Sequence, residues 1–196
     1  MLTDTSYVKV GELPANLALS PSGFAELWDT HSEERHVIRI FGKECTTPRW
    51  FQVYGVEDYS YSGSTFPTRE ITPFLQRYLD WANEGETDKY NMILVNWYGS
   101  GRDYIGWHRD DEKQIIPDSD VMTISFGGER RFKIKYDPIK KFANKRPPEV
   151  KTHEMLTTNN TFLVMGGTFQ SEYKHHIPAT KKEVSPRISL TFRKFK

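Results

Sequence analysis

Five short runs of alternating or β-branched residues, all beyond Tyr90, constrain this chain more than any other feature. They are 91–98 (NMILVNWY), 121–126 (VMTISF), 131–136 (RFKIKY), 161–165 (TFLVM) and 187–193 (RISLTFR). Each is too short for a helical face, and Gly127-Gly128, Gly166-Gly167 and Pro147-Pro148 punctuate the intervals. Helical signals sit mainly in the first 85 residues. Ser20 or Ser22 can cap a helix running to about Ser32, and Thr72-Pro73 starts one through Phe74, Leu75, Tyr78, Leu79 and Trp81. The expected class is α+β with a mainly β core: helices flanking a mostly antiparallel two-sheet jelly-roll barrel. A chain of 196 residues fits one domain. Within it, about 1–90 would hold the N-terminal helices and hairpins, and about 91–196 the barrel.

Charge adds a second constraint. The net of +1 hides a strong asymmetry. Positions 1–129 carry 11 basic against 21 acidic residues, whereas 130–151 carry a net of +7 and 174–196 a net of +6. Clustered positive charge attracts a polyanion because each neutralised phosphate releases counterions; a solvated face is the plainer reading. The stretch 137–150 (DPIKKFANKRPPEV) reads as an exposed basic loop. No 18-residue apolar run predicts a membrane helix, and Met1 to Lys9 lack the pattern of a secretory signal. A single cysteine, Cys45, suits a reducing intracellular compartment.

Two constellations carry chemistry. In Tyr104-Ile105-Gly106-Trp107-His108-Arg109-Asp110, His108 and Asp110 stand two apart, so on a strand they project from one face. Such a pair is expected roughly once by chance in this composition, and His31-Ser32-Glu33 is another. A third ligand, His175 or His176, would complete two imidazoles and one carboxylate with open positions, the set that suits non-haem Fe(II) and O₂. Surface histidines without a metal are the bland alternative. In 187–193, period two puts Ile188, Leu190 and Phe192 on one face and Arg187, Ser189, Thr191 and Arg193 on the other. That polar face either is wet or lines a pocket for a dicarboxylate, which guanidinium groups grip in pairs. Asn96 and Tyr98 share a face in the same way.

Taken together these segments resemble the AlkB family of Fe(II)/2-oxoglutarate-dependent dioxygenases, most closely its branch that repairs duplex DNA. The likeness runs from about Ile40 to Arg193. It rests on Asn96-Trp97-Tyr98, Ile105-Gly106-Trp107-His108-Arg109-Asp110-Asp111-Glu112, Ser125-Phe126-Gly127, Lys174-His175-His176-Ile177-Pro178 and the closing Arg187 to Arg193, in the family's order. The resemblance implies a double-stranded β-helix with a nucleotide-recognition lid, and iron ligands His108, Asp110 and His175. His175 is preferred to His176 because the family's ligand stands three residues before the position of Pro178. It implies that Arg187 and Tyr98 hold the far carboxylate of 2-oxoglutarate, and that Asn96 and Arg193 hold the end that chelates iron. Ser189 departs from the family's usual Asn. The implied reaction consumes O₂ and 2-oxoglutarate and removes methyl groups from N1-methyladenine and N3-methylcytosine, releasing succinate and formaldehyde.

For substrate contacts the resemblance points to Phe41, in Ile40-Phe41-Gly42-Lys43, as a wedge filling the gap left by a flipped base. It gives Tyr61 a stacking role beside Tyr59, and Asp111 and Glu112 the recognition of exocyclic amino groups. Arg49, Lys181 and Lys182 occupy backbone-binding positions, with Thr180 where the family's basic run begins. The implied partner is DNA, as a duplex, with a monomeric protein in the nucleus if the cell is eukaryotic. RNA demethylation and a non-catalytic nucleic-acid-binding barrel are the competing readings.

Overall fold

The computed structural model describes residues 1–40, 42–61, 63–144 and 147–196, with the backbone alone for Ile40 and Tyr61. Its elements in chain order are β1 (Ser6–Glu12), α1 (Pro21–Trp28), β2 (Val37–Ile40), β3 (Lys43–Thr46), β4 (Trp50–Gly55), β5 (Tyr59–Tyr61) and β6 (Ser64–Phe66). Then follow α2 (Pro73–Ala82), β7 (Met92–Tyr98), β8 (Ile105–His108), β9 (Val121–Gly127), β10 (Arg130–Tyr136), β11 (Thr152–Thr157), β12 (Thr161–Gly167), α3 (Phe169–Glu172), β13 (Tyr173–Ile177) and β14 (Arg187–Arg193). A six-stranded sheet in the order β1-β12-β9-β14-β7-β4 faces a four-stranded sheet, β11-β10-β13-β8. Every pairing within them is antiparallel. This is the expected mainly-β jelly roll.

The closing strand shows why. β14 lies between β7 and β9 and is buried at all seven positions. Its apolar face, Ile188, Leu190 and Phe192, joins Ile93, Val95, Trp97, Ile124 and Phe126 under the two longer helices. Each such side chain contributes about 1.5–3 kcal/mol on burial. Its other face looks between the sheets, where Tyr98, Phe132, Ile134, Leu163, Met165 and Ile177 form a second cluster.

α2 begins where Thr72 and Pro73 predict it. The Thr72 hydroxyl accepts the Leu75 N–H at 3.3 Å, and Leu75, Tyr78, Leu79 and Ala82 form its buried face. α1 is capped by Ser20, which accepts from Gly23 N at 3.1 Å. It stops at Trp28 rather than near Ser32. The Thr30 hydroxyl donates to the Leu27 carbonyl at 2.7 Å, and His31 stacks on Trp50 with centroids 4.5 Å apart. A side chain that claims a helical carbonyl competes with the next turn.

The first 85 residues hold far more strand than their helical signals suggest. β1 and β4 are the outer strands of the six-stranded sheet, so the barrel draws on residues before 91. β2-β3 and β5-β6 form separate two-stranded hairpins, turning at Gly42 (φ +78°) and Gly63 (φ +73°). The described residues of the 137–150 stretch are irregular apart from one 3-10 turn at Lys140–Phe142, whose Phe142 is buried. Among the described residues no helix is long and apolar enough to cross a membrane.

Candidate metal and cosubstrate site

β8 and β13 bring the expected ligands together. They are antiparallel neighbours with His175 opposite His108, and the imidazole centroids lie 4.2 Å apart. Period two along β13 turns His175 into the barrel at 5% exposure. It turns His176 outward onto Trp107, with ring centroids 3.7 Å apart. Asp110 is not on the strand as its spacing suggests; it lies two residues past the end of β8. Its N–H donates to the side-chain oxygen of Gln170 at 3.0 Å, which places the carboxyl beside the histidines. Gln170 comes from the short α3 just before β13 and is itself buried. Sequence reasoning missed it, since nothing in Phe169-Gln170-Ser171 signals a contact made by tertiary approach.

One ligand atom each from His108, Asp110 and His175 lies within 4.8 Å of the others. His108 Nδ1 is 2.9 Å from the Gly106 carbonyl, so that nitrogen donates and Nε2 keeps its lone pair. Burial holds both imidazoles neutral, lowering His108 and taking His175 to about 3, with the neighbouring imidazole adding to the fall in His175. Burial alone would raise Asp110, but Arg193 and the two histidines outweigh it and hold the carboxyl below the usual range. Asp110 Oδ2 is buried without a hydrogen-bond partner, 3.5 Å from His175 Nε2. Two neutral imidazoles and an ionised carboxylate with an unclaimed oxygen fit a divalent cation.

Beside them runs a slot floored by the polar face of β14. Arg187, Ser189 and Thr191 line it with Asn96, Tyr98 and Thr123, and Leu94, Phe132 and Ile177 form apolar walls. Arg187 is 1% exposed, lies 5.1 Å over the Tyr98 ring and donates to Ser125 Oγ at 2.9 Å. Its Nε and Nη1 are buried without partners. A buried guanidinium with unclaimed donors is costly unless a carboxylate completes it, which fits one end of a diacid. Arg193 also lines this slot. Nη2 pairs directly with Asp110 Oδ1 and Nη1 donates to the Tyr59 hydroxyl at 3.0 Å, so it braces the aspartate from behind.

The substrate-contact expectations fare differently. Tyr59 is 2% exposed, and its hydroxyl donates to Glu112 Oε1, making it a strut for that carboxylate. Glu112 keeps a buried Oε2 without a partner, while Asp111 is exposed. Arg49 is buried at 5% with Nε donating to Asn96 Oδ1 at 2.7 Å, so in this arrangement it holds the slot wall rather than facing a phosphate. Lys181 and Lys182 are exposed. Phe41 and the side chain of Tyr61 lie outside the described residues.

The 2OG-Fe(II) oxygenase superfamily model matches residues 23–193, nearly the whole chain. The chain belongs to this superfamily. Within this superfamily of iron(II)- and 2-oxoglutarate-using oxygenases, the chain is 34% identical over 160 residues to the DNA oxidative demethylase ALKBH2 of Mus musculus, covering 80% of this chain and 66% of that protein. It is 31% identical to the ALKBH2 of Arabidopsis thaliana (81% and 57% covered) and 29% identical to the alpha-ketoglutarate-dependent dioxygenase alkB homolog 3 of Homo sapiens (74% and 51% covered). The chain thus spans between half and two-thirds of the length of these relatives. The solved structure of OsALKBH1 superposes over 98% of this chain and 99% of that one, with a TM-score of 0.55 at 13% identity, a likeness of fold alone.

Proposed function

We propose that this chain is a DNA oxidative demethylase that removes methyl groups from N1-methyladenine and N3-methylcytosine. The observation that carries the reading is the convergence of His108, Asp110 and His175 to within 4.8 Å beside a slot where Arg187 holds two unclaimed donors. The likeness to proteins named DNA oxidative demethylases supplies the substrate class.

His108 Nε2, His175 Nε2 and an Asp110 oxygen would hold iron, and Arg187 with Tyr98 would hold the remote carboxylate of 2-oxoglutarate. When bound, iron and 2-oxoglutarate supply the oxidation by O₂ that releases the N-methyl group as formaldehyde, with succinate and CO₂ as co-products. The chain's own contributions are positional and electrostatic. Arg193 keeps Asp110 ionised and Gln170 fixes its backbone. Phe132, Ile177 and Leu94 exclude water from the slot. The free Glu112 Oε2 can accept a hydrogen bond from the exocyclic amino group of adenine or cytosine, and Asp111 adds attraction to the cationic methylated base.

Action on duplex DNA is the finer part of the reading. It rests on Phe41, between Ile40 and Gly42 in the sequence, as the wedge for base flipping that the family resemblance implies, and on exposed Lys181 and Lys182 as a phosphate grip. We take the active species as a monomer, working in the nucleus if the cell is eukaryotic. The test is incubation with Fe(II), 2-oxoglutarate, ascorbate and oligonucleotides carrying either lesion, as single-stranded DNA, duplex DNA and RNA, scoring succinate and restored base. Equal turnover on duplex and single-stranded DNA that Phe41→Ala lowers only on the duplex supports the full reading. Restoration on RNA alone would replace DNA as substrate, and no restoration with any of them would overturn the proposal.

A further inference from the structure

The outer face of the four-stranded sheet takes no part in the site described so far. Registers place Arg131, Lys133 and Lys135 of β10 beside Glu154 and Leu156 of β11 on one side, and Lys174 and His176 of β13 on the other. Trp107 closes this face on β8, the edge strand, 39% exposed and backed by the His176 ring, with Lys135 Nζ 5.3 Å from its centroid. Four cations and an aromatic plate therefore share one surface. The negative groups facing them include Glu154, at 3.4 Å from Arg131 and 3.0 Å from Lys133, Asp137, at 2.8 Å from Lys174, and Glu129, which lines the groove beside Arg131.

Two features make this more than a solvated face. First, a groove of about 650 Å³ joins Arg131, Lys133 and half-exposed Leu156 to Lys182 on the loop before β14. The basic track therefore continues into the lysines already assigned to the phosphate grip. Second, Trp107 directly precedes His108 on an edge strand, so one step over that edge leads from the metal cluster to the plate. A flat ring rigidly backed by a second ring is a stacking platform that suits an unpaired base. The Glu154 pairs are solvent-exposed and screened, so phosphates can replace them at little cost.

We propose that this face is a docking track for a single DNA strand, with Trp107 stacking an unpaired base and Arg131, Lys133, Lys135 and Lys182 binding successive phosphates. The proposal rests on the DNA reading above. An unpaired strand fits better than a duplex, whose bases are already stacked and closed to Trp107. Glu154 sets the strength of the grip by competing for Arg131 and Lys133.

The test is fluorescence anisotropy of a labelled, unmethylated twelve-nucleotide DNA strand against the full chain without iron, across a salt series. It reads binding alone, so a failure to demethylate would remove the proposed reaction without deciding this outcome. Lys133→Gln with Lys135→Gln should weaken binding several-fold and make the salt slope shallower by about 1.4, at about 0.7 per phosphate on a single strand. Trp107→Leu should cost about five- to hundredfold, the range for one stacked base, while Trp107→Phe keeps most of the affinity. Glu154→Gln should tighten binding, which a merely solubilising face would not do. An unchanged slope in the double lysine variant, unaltered binding in Glu154→Gln, or displacement by poly-glutamate as effective as by unlabelled strand would each overturn the proposal. Duplex DNA binding as tightly as the single strand, with no loss in Trp107→Leu, would do the same.

Discussion

Arg49 donates from Nε to Asn96 Oδ1 at 2.7 Å, and this buried contact ties the residue just before β4 to the wall of the cosubstrate slot. The pairing of Phe51 with Asn96 in adjacent strands brings the arginine within reach. Arg49→Ala should leave the Asn96 acceptor unpaired and destabilise the protein by about 1–3 kcal/mol. It should also weaken 2-oxoglutarate binding, while leaving the salt slope of oligonucleotide binding unchanged. Denaturant unfolding and calorimetric titration of 2-oxoglutarate read the first two effects. A shallower salt slope with cosubstrate affinity intact would return Arg49 to the phosphate backbone.

Among the described residues, Arg187 carries a clear unfilled demand. It has one donor on Ser125 and two without partners. A hydrogen bond to a charged group contributes about 1.5–3 kcal/mol, so Arg187→Ala should weaken 2-oxoglutarate binding about ten- to hundredfold. Arg187→Lys should recover only part of that, because an ammonium cannot reproduce the two-pronged grip. Titration with Mn(II) in place of Fe(II) under argon separates this from turnover. Equal affinity in wild type and Arg187→Ala would show that the carboxylate lies elsewhere.

Asp110 and Arg193 form a buried pair, so replacing the aspartate has two separable consequences. Asp110→Ala removes a ligand and strands the Arg193 charge, a loss of about 3–5 kcal/mol for a broken buried pair. Asp110→Asn keeps the size and one acceptor for Arg193, and should recover much of the stability without recovering iron. Both should lack the visible band that Fe(II) and 2-oxoglutarate give together, and both should release no formaldehyde. Formaldehyde release at the wild-type rate from Asp110→Ala would show the metal assignment to be wrong.

The barrel was legible where burial makes the pattern strict. β14 sits between two strands with helices on one face and the slot on the other, so its alternation is complete and its limits match the sequence reading to the residue. β1 and β3 are different. Val10 is 59% exposed and β3 is exposed at three of its four positions, so neither shows a clean two-residue period. The metal histidines could be read from spacing and resemblance, and β13's alternation separates His175 from His176. Gln170, the Tyr59 strut and the burial of Arg49 could not. Each depends on a partner between 47 and 134 residues away in the chain, and short-range periodicity has no access to such contacts.

His175 links the site to acid stability. Its folded value of about 3 lies well below the ordinary 6.5, because burial disfavours the imidazolium. Between these two values the unfolded chain binds a proton that the folded chain does not. Metal-free stability must then rise with pH through that window and fall as pH drops from about 6.5 toward 3. His108 is lowered by the same cause and adds to the slope. Melting temperatures in chelator between pH 7.5 and pH 4 should therefore decline. His175→Gln, which cannot take up a proton, should decline less steeply, even if its value at pH 7.5 is lower. Parallel slopes for wild type and His175→Gln would mean that His175 titrates alike folded and unfolded, which is incompatible with a neutral imidazole buried beside His108.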